Sequence, residues 1–318
     1  MQKILDKIKE YKRIIIHGHT RPDGDCIGSQ FGLYYIIKDS FPDKEVYVTG
    51  ETSDYVSFIG KPTLIDESLF RGALSICVDC GNSERLSDKR FNLSDYVIKI
   101  DHHIIVEQYG DYQYVEEEVS SCAEIITRFY NKFKNELVLS KKAAEALYVG
   151  LLTDTGRFKY DSVSDVTFET AAILIRAGVD ISYIDNKLSV ESLNVLKLKG
   201  YCLSNFKMSD KGFAYILMPK TIIEEYKVTN EEAASLVSVI STIEECPIWA
   251  LFIEYDNEIR IRLRSKGPEI ATLANKFGGG GHAKAAGAKI DTFDDVPKFV
   301  EEADKYVVAY KNSISKVE

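Results

Sequence analysis

A chain of 318 residues exceeds one average domain, so two domains are the first expectation, each able to bury a core of its own. Apolar content of 45% and charged content of 28% fit a globular protein; no apolar run reaches the roughly 18 residues of a membrane span, and MQKILDKIKEYKR lacks the apolar block of a secretory signal, so a cytoplasmic protein with no membrane contact is expected. A net charge of -9 disfavours a protein that grips long duplex nucleic acid by neutralising phosphates, and leaves anion binding to a local patch.

The opening segment reads as an amphipathic helix. Short β-branched runs follow at 13–17, 45–49, 74–78 and 96–100, with helix-period segments at 25–39, 120–134, 140–152 and 165–178. This alternation predicts an α/β domain over 1–187, a doubly wound and largely parallel sheet with helices on both faces. Residues 188–204 read as a connecting helix that ends near Gly200. From 205 to 318 the pattern changes to a smaller α+β domain, with strand pairs FKMSD/KGFAYILM and PIWALFIEYD/NEIRIRLRS. Its helices are expected at about 219–226, 230–242, 267–277 and 293–311, and the closing NSISKVE as a frayed tail. Six scattered cysteines without an export signal do not make a disulfide framework, and Cys77 and Cys80, a C-x-x-C without a second pair, are read as core filling.

Polar groups follow three of the apolar runs. After Ile14-Ile15-Ile16 come His17, His19, Asp23 and Asp25; after 74–78 comes Asp79; after 96–100 comes Asp101-His102-His103. A fourth element, GLLTDTGRF, sets Asp154 at the end of a predicted helix. Singly, an Asp after a strand is more often a turn or cap residue. Gathered at one sheet edge, where loops of an open α/β sheet converge on ligands, such carboxylates repel one another unless cations neutralise them. Mixed Asp and His donors suit Mn²⁺ or another first-row ion better than Ca²⁺. His19, Asp23, Asp25, Asp79, His102 and Asp154 suffice for two ions with one carboxylate bridging, and two divalent ions about 3.5–4 Å apart form a clamp for phosphoryl transfer.

A cationic patch lies further on: residues 260–289 carry seven Lys or Arg against one acid, Glu269. In NEIRIRLRS, Arg260, Arg262 and Arg264 alternate with apolar residues, which by itself suits a solvated edge strand equally well. Gly278-Gly279-Gly280-Gly281-His282 follows, and four successive glycines exceed what a helix cap requires; they predict a backbone that a phosphate or nucleotide can approach closely.

The ordered set HTRPDGD, VDC, DHH and TDTGRF resembles the four motifs of the DHH phosphoesterase superfamily, and RLRSKG with FGGGGHAKAAG resembles its DHHA1 domain. Length and compactness are similar to the nanoRNase and pAp-phosphatase group, which cleaves very short oligonucleotides and 3'-phosphoadenosine 5'-phosphate. The resemblance implies that His19 and Asp23 hold one Mn²⁺, that Asp25, His102 and Asp154 hold the other, and that Asp79 bridges. It implies a place for His103 beside the scissile phosphate, with Asp101 orienting His102 from behind. Arg262, Arg264, Ser265, Gly279, Gly280, Gly281 and His282 would bind the terminal nucleotide across a cleft, Arg157 would reach a phosphate, and the protein would form a homodimer. His17 carries no motif role and is expected in the core. The extra domains of the superfamily's single-strand exonucleases and the SRKKQ-type signature of family II pyrophosphatases are missing from the sequence. A cyclic dinucleotide phosphodiesterase acting on c-di-AMP or pApA is the alternative with the same chemistry. A non-catalytic nucleotide-binding module is disfavoured by the complete ligand set.

Overall fold

The computed structural model describes residues 1–315 and divides into two compact units, Met1–Val190 and Glu191–Glu318. In the first, α1 (Gln2–Glu10), β1 (Arg13–His17), α2 (Gly24–Ser40), β2 (Glu45–Thr49), β3 (Ala73–Val78), β4 (Tyr96–Asp101) and β5 (Tyr112–Val115) are followed by α3 (Cys122–Lys132), α4 (Lys141–Asp154), α5 (Asp165–Arg176) and α6 (Ile181–Ser189). The five strands run parallel in the order β2-β1-β3-β4-β5. Their carboxyl ends therefore share one edge, and the chain reverses its direction across the sheet between β1 and β3, the place where such sheets bind ligands.

The β-branched runs form strands because both their faces are covered. Ile14, Ile16, Leu74, Ile76, Val78, Ile98 and Ile100 join the core that α1, α2, α3 and α4 build on one face. The other face is closed by loops and 3₁₀ turns, which bury Ile15 with Phe70 and Cys77 with Cys80 and Leu86. All six cysteines are buried and free. The edge strand β5 is invisible in the hydrophobic pattern, since its four residues YQYV are each only half-buried.

His17 sits in this second face, wholly buried, with Nε2 3.0 Å from Ser75 Oγ and rings of Phe70 and Phe91 beside it. Burial holds its imidazole down at about 4, below the ordinary 6.5. The unfolded chain therefore takes up a proton between pH 6.5 and 4 that the folded chain refuses, and stability falls as the pH drops through that window. For one fully buried group the loss approaches about 3 kcal/mol. The urea midpoint of the native protein should fall more between pH 7 and pH 4.5 than that of His17→Gln; equal falls would remove His17 from the acid sensitivity.

The second unit contains α7 (Leu193–Asn205), β6 (Lys207–Met208), β7 (Phe213–Met218), α8 (Lys220–Tyr226), α9 (Asn230–Ser235), β8 (Ile248–Glu254), β9 (Ile259–Ser265), α10 (Ala271–Lys276), β10 (Gly280–Gly281), β11 (Ala285–Ile290) and α11 (Val296–Ile314). Its sheet runs β10-β11-β9-β8-β7-β6, antiparallel except between β7 and β8. One face packs on α10 and α11 through Phe213, Phe252 and Phe299; the other packs on α7 and α9 through Val195, Leu198, Ala233 and Trp249.

Several elements depart from the sequence reading. The expected 188–204 helix is divided: α6 ends at Ser189 and α7 begins at Leu193, where Ser192 caps it by accepting from Val195 N–H. Gly200 does not end α7, because nothing crowds it and the helix ladder continues to Asn205. The 230–242 segment is α-helical only to Ser235 and continues as a 3₁₀ turn. In the 267–277 segment Pro268 precedes the helix, which starts at Ala271. Asn312 to Ile314 of the expected tail belong to α11, whereas 316–318 lie outside the described residues.

Candidate metal centre and cationic groove

The loop after β1 enters α2 with Asp23 as its N-cap, accepting from Cys26 N–H at 3.0 Å. This turn sets His19, Asp23 and Asp25 at the carboxyl edge of the sheet. Asp79 follows β3 directly and adopts a left-handed backbone, φ +54°, with its N–H donated to Ile100 O. A non-glycine residue in that region stores strain of about 1–3 kcal/mol, a cost that tends to collect at functional sites. Asp101 ends β4, and His102 and His103 follow. Asp154 ends α4, which crosses α2 at glycine contacts. A Cβ at Gly28 would stand 2.8 Å from Gly150 N, and one at Gly150 would stand 2.8 Å from Asp25 Oδ1. Only glycines let the two helices approach closely enough to carry Asp25 to Asp154.

The side chains converge. His102 Nε2 lies 3.3 Å from Asp154 Oδ2, 3.4 Å from Asp79 Oδ1 and 3.9 Å from Asp25 Oδ2. His19 Nε2 lies 3.5 Å from Asp79 Oδ2 and 3.8 Å from Asp23 Oδ2. Asp79 thus faces one imidazole with each oxygen. Two donors that each stand about 2.1 Å from a first-row ion are about 3.0–3.4 Å apart, so these separations suit ligands around a shared cation. Asp79 Oδ1 is buried with no hydrogen-bond partner, as a carboxylate awaiting a cation would be. The imidazoles are turned for the same purpose: His19 Nδ1 meets Thr20 O at 2.8 Å and His102 Nδ1 meets Val119 O at 3.4 Å, which leaves both Nε2 atoms facing the carboxylates. The donors present therefore fit divalent cations.

The electrostatics agree. Burial, reinforced by Asp79 and Asp154, pushes Asp25 well above the usual carboxylate range, and burial lifts Asp154 to about 6. Burial alone would lower His102, yet Asp79, Asp25 and Asp154 raise it to about 10; burial would raise Asp79, yet His102 and His19 draw it down to about 2. Protons occupy, in this cluster, the role that cations take better.

Two expected roles are corrected. Asp101 touches His102 only through its backbone N–H, at 3.0 Å; its Oδ1 instead takes the side chain of His103, at 2.8 Å from Nδ1, because His102 turns its ring toward Val119 O. Arg157 does not stand open for a phosphate. Its guanidinium pairs with Asp185 and donates to Ser189 Oγ at 2.9 Å, since Gly156, Arg157 and Phe158 all take left-handed backbone and swing the side chain onto α6.

Three residues near the cluster carry no role in the sequence reading. Cys26 Sγ groups with His19 and Asp79, but burial keeps its thiol protonated and it accepts His19 N–H. Tyr55 borders a cavity of about 280 Å³ with Thr153, Arg157 and Leu188, and its half-exposed phenol is raised by burial and by Asp23. No local signal picks it out. Lys99 is the third, and its signal is legible: a lysine in the middle of the apolar strand YVIKID.

In the second unit the arginine face of β9 and the groove-facing side of β11 extend past the helices that cover β8, and they floor a groove of about 440 Å³. Arg262, Arg264, Gly279, Gly280 and Gly281 line it. Arg262 is exposed and has no ion-pair partner among the described residues, while Arg260 is held by Glu258 at 2.8 Å and lies over the Tyr255 ring. The glycine run turns at Gly278 and ends as the short strand Gly280–Gly281. A Cβ at Gly279 would strike Gly287 O and one at Gly281 would reach within 2.7 Å of Ala285 O, so these two permit β10 to lie on β11. At Gly280 a Cβ would meet Asn275 Oδ1 at 3.4 Å. Ser265 and His282 do not line the groove. Ser265 Oγ is consumed by the turn, donating to Pro268 O at 2.6 Å and accepting from Gly267 N–H, and His282 is an exposed turn residue whose N–H binds Ala285 O.

A parallel sheet with imidazoles and carboxylates gathered at its switch point, joined in sequence to an arginine-lined groove, fits a metal-dependent phosphoesterase. The chain belongs to the DHH family: residues 13–151 match the DHH family N-terminal domain, and residues 211–309 match the DHHA1 domain. It is 36% identical, over 95% of its own length and 97% of the relative's, to the bifunctional oligoribonuclease and PAP phosphatase NrnA of Bacillus subtilis. To the probable bifunctional oligoribonuclease and PAP phosphatase NrnA of Streptococcus mutans it is 38% identical, covering 90% of this chain and 92% of that one. An exopolyphosphatase-related protein from Bacteroides fragilis shares the fold with a TM-score of 0.84 at 28% identity, covering 98% and 97% of the two chains. The protein is a phosphoesterase, and no helix among the described residues is long and apolar enough to cross a membrane.

Proposed function

We propose that the protein hydrolyses very short oligoribonucleotides and 3'-phosphoadenosine 5'-phosphate with two divalent ions, Mn²⁺ by preference. The observation that carries this reading is the placement of Asp79 between His19 and His102, supported by the names of relatives that match nearly the whole chain. His19 and Asp23 would hold one ion, Asp25, His102 and Asp154 the other, with Asp79 between them. When bound, the ions neutralise phosphate oxygens and lower the pKa of a water. The chain's own groups do the rest. His103, at 39% side-chain exposure the most open imidazole of the cluster, contacts the scissile phosphate or the leaving oxygen, while Asp101 holds its Nδ1. In the second unit, Arg262 and Arg264 line a groove whose charge suits a phosphate group of such a substrate.

The test is turnover by one Mn²⁺-loaded sample on 3'-phosphoadenosine 5'-phosphate, on two-mers to thirty-mers, and on pApA and c-di-AMP. Rates should fall steeply with length; equal rates on two-mers and thirty-mers would overturn the short-substrate reading, and a preference for c-di-AMP would replace it. Arg262→Ala should raise KM about 10–100-fold with little change in kcat, as expected for loss of one charge-assisted phosphate contact.

A further inference from the structure

Lys99 lies in β4 two residues before Asp101, on the sheet face away from the helices, and it is completely buried. Its Nζ donates to Gly81 O at 2.8 Å, stands 3.3 Å from Asp101 Oδ2 and lies 4.9 Å from the centroid of the Tyr109 ring. Asp101, itself wholly buried, uses the opposite oxygen: Oδ1 accepts from His102 N–H at 3.0 Å and lies 2.8 Å from His103 Nδ1. The two oxygens thus face different partners: Oδ1 accepts hydrogen bonds, while Oδ2, which has no hydrogen bond, meets the Lys99 ammonium as an ion pair. Tyr109 OH donates to Cys80 O at 2.8 Å, so Lys99 and Tyr109 together fasten the two carbonyls that follow Asp79. Gly81 in turn packs on His103, for a Cβ there would touch His103 Cβ at 3.5 Å.

A buried lysine–aspartate pair is a poor stabiliser, because desolvation of both charges offsets their attraction, and an apolar side chain at such a position serves stability as well or better. Its neighbours along the strand are Ile98 and Ile100, and a third apolar residue would suit the interior. The pair makes sense as a fixed point for what Asp101 holds. An ionised Asp101 accepts, so His103 must carry its proton on Nδ1, and Nε2 becomes the atom offered to the substrate.

We propose that Lys99 is a positioning residue that sets the tautomer and orientation of His103 through Asp101. This rests on the proposed role of His103 at the scissile phosphate. Lys99→Met keeps length and packing and removes the charge. It should lower kcat by about 30-fold, a part of the roughly 10²–10⁴ that a positioned proton-transfer group contributes, with KM within about twofold. Bound metal per chain should be unchanged. In a His103→Ala background the same substitution should cause no further loss, because the group it positions is gone. Independently of turnover, the proton resonance of His103 Nδ1–H should be present in the native protein and lost or broadened in Lys99→Met.

Full kcat in Lys99→Met, an undiminished loss in the His103→Ala background, or loss of metal would each overturn the proposal. Should Lys99→Met fail to fold, the paired Lys99→Met/Asp101→Asn variant, which leaves no uncompensated charge, and Lys99→Arg carry the same comparison; Arg should restore part of the activity and Met/Asn none. If the native protein hydrolyses no phosphoester, the functional reading fails, while the Nδ1–H resonance still decides the role of Lys99.

Discussion

Asp79→Asn is expected to lower kcat by about 10³-fold or more, equivalent to about 4 kcal/mol of lost transition-state stabilisation, while the chain stays folded. Asn is the informative replacement, because with Asp it tolerates the left-handed backbone that Asp79 occupies, so no new strain enters at φ +54°. An amide keeps the shape and loses the charge that faces both His19 and His102. The loss should appear on every phosphoester tested, with the thermal midpoint shifted by no more than about 3 °C, a change of roughly 1 kcal/mol for a protein of this size. A variant that retains a tenth of native turnover would show that Asp79 does not bridge, and the two-ion reading would fall with it.

Chelation and metal return should move the protein as strongly. In the absence of cations, Asp25, Asp154 and His102 all hold protons more firmly than free side chains do, and each proton must leave as an ion enters. Below about 10 the imidazole of His102 is charged, so binding there releases at least one proton; below about 6 Asp154 adds a second. Metal affinity must therefore rise with pH, by up to about tenfold per unit for one proton released and more steeply in acid. Calorimetric titration of Mn²⁺ in buffers of different ionisation enthalpy counts these protons. Free metal at about 1,000 times its dissociation constant should stabilise the folded chain by about 4 kcal/mol, read as a rise in thermal midpoint that disappears with EDTA. Affinity independent of pH, or no thermal response, would mean that the cluster is not a cation site.

The opening constellation was legible in the sequence for a reason of geometry. Parallel strands with apolar runs end on one edge, so polar residues placed just after Ile16, Val78 and Ile100 had to meet whatever the intervening loops did. The same logic made the arginine face of β9 readable, since strand alternation fixes which side chains share a face. Neither inference needed the relative position of distant backbone.

Where that position mattered, the pattern gave no guidance. The glycine run at 278–281 reads as a ligand loop, yet Gly279 and Gly281 are set by the backbone of β11, which lies beyond any local window. Arg157 looks free until the left-handed turn after α4 delivers it to Asp185. The partner of Asp101 depends on how His102 turns toward Val119, seventeen residues on. By itself, then, the sequence determined the class of chemistry, the two domains' kinds and the side chains that collect at the sheet edge, because those follow from periodicity and strand direction. Only the tertiary structure decided which of them touch, which glycines make room for helices or strands, and that a buried Lys99 stands behind Asp101, because hydrogen bonds and close packing are settled by distances of a few ångströms between segments far apart in the chain.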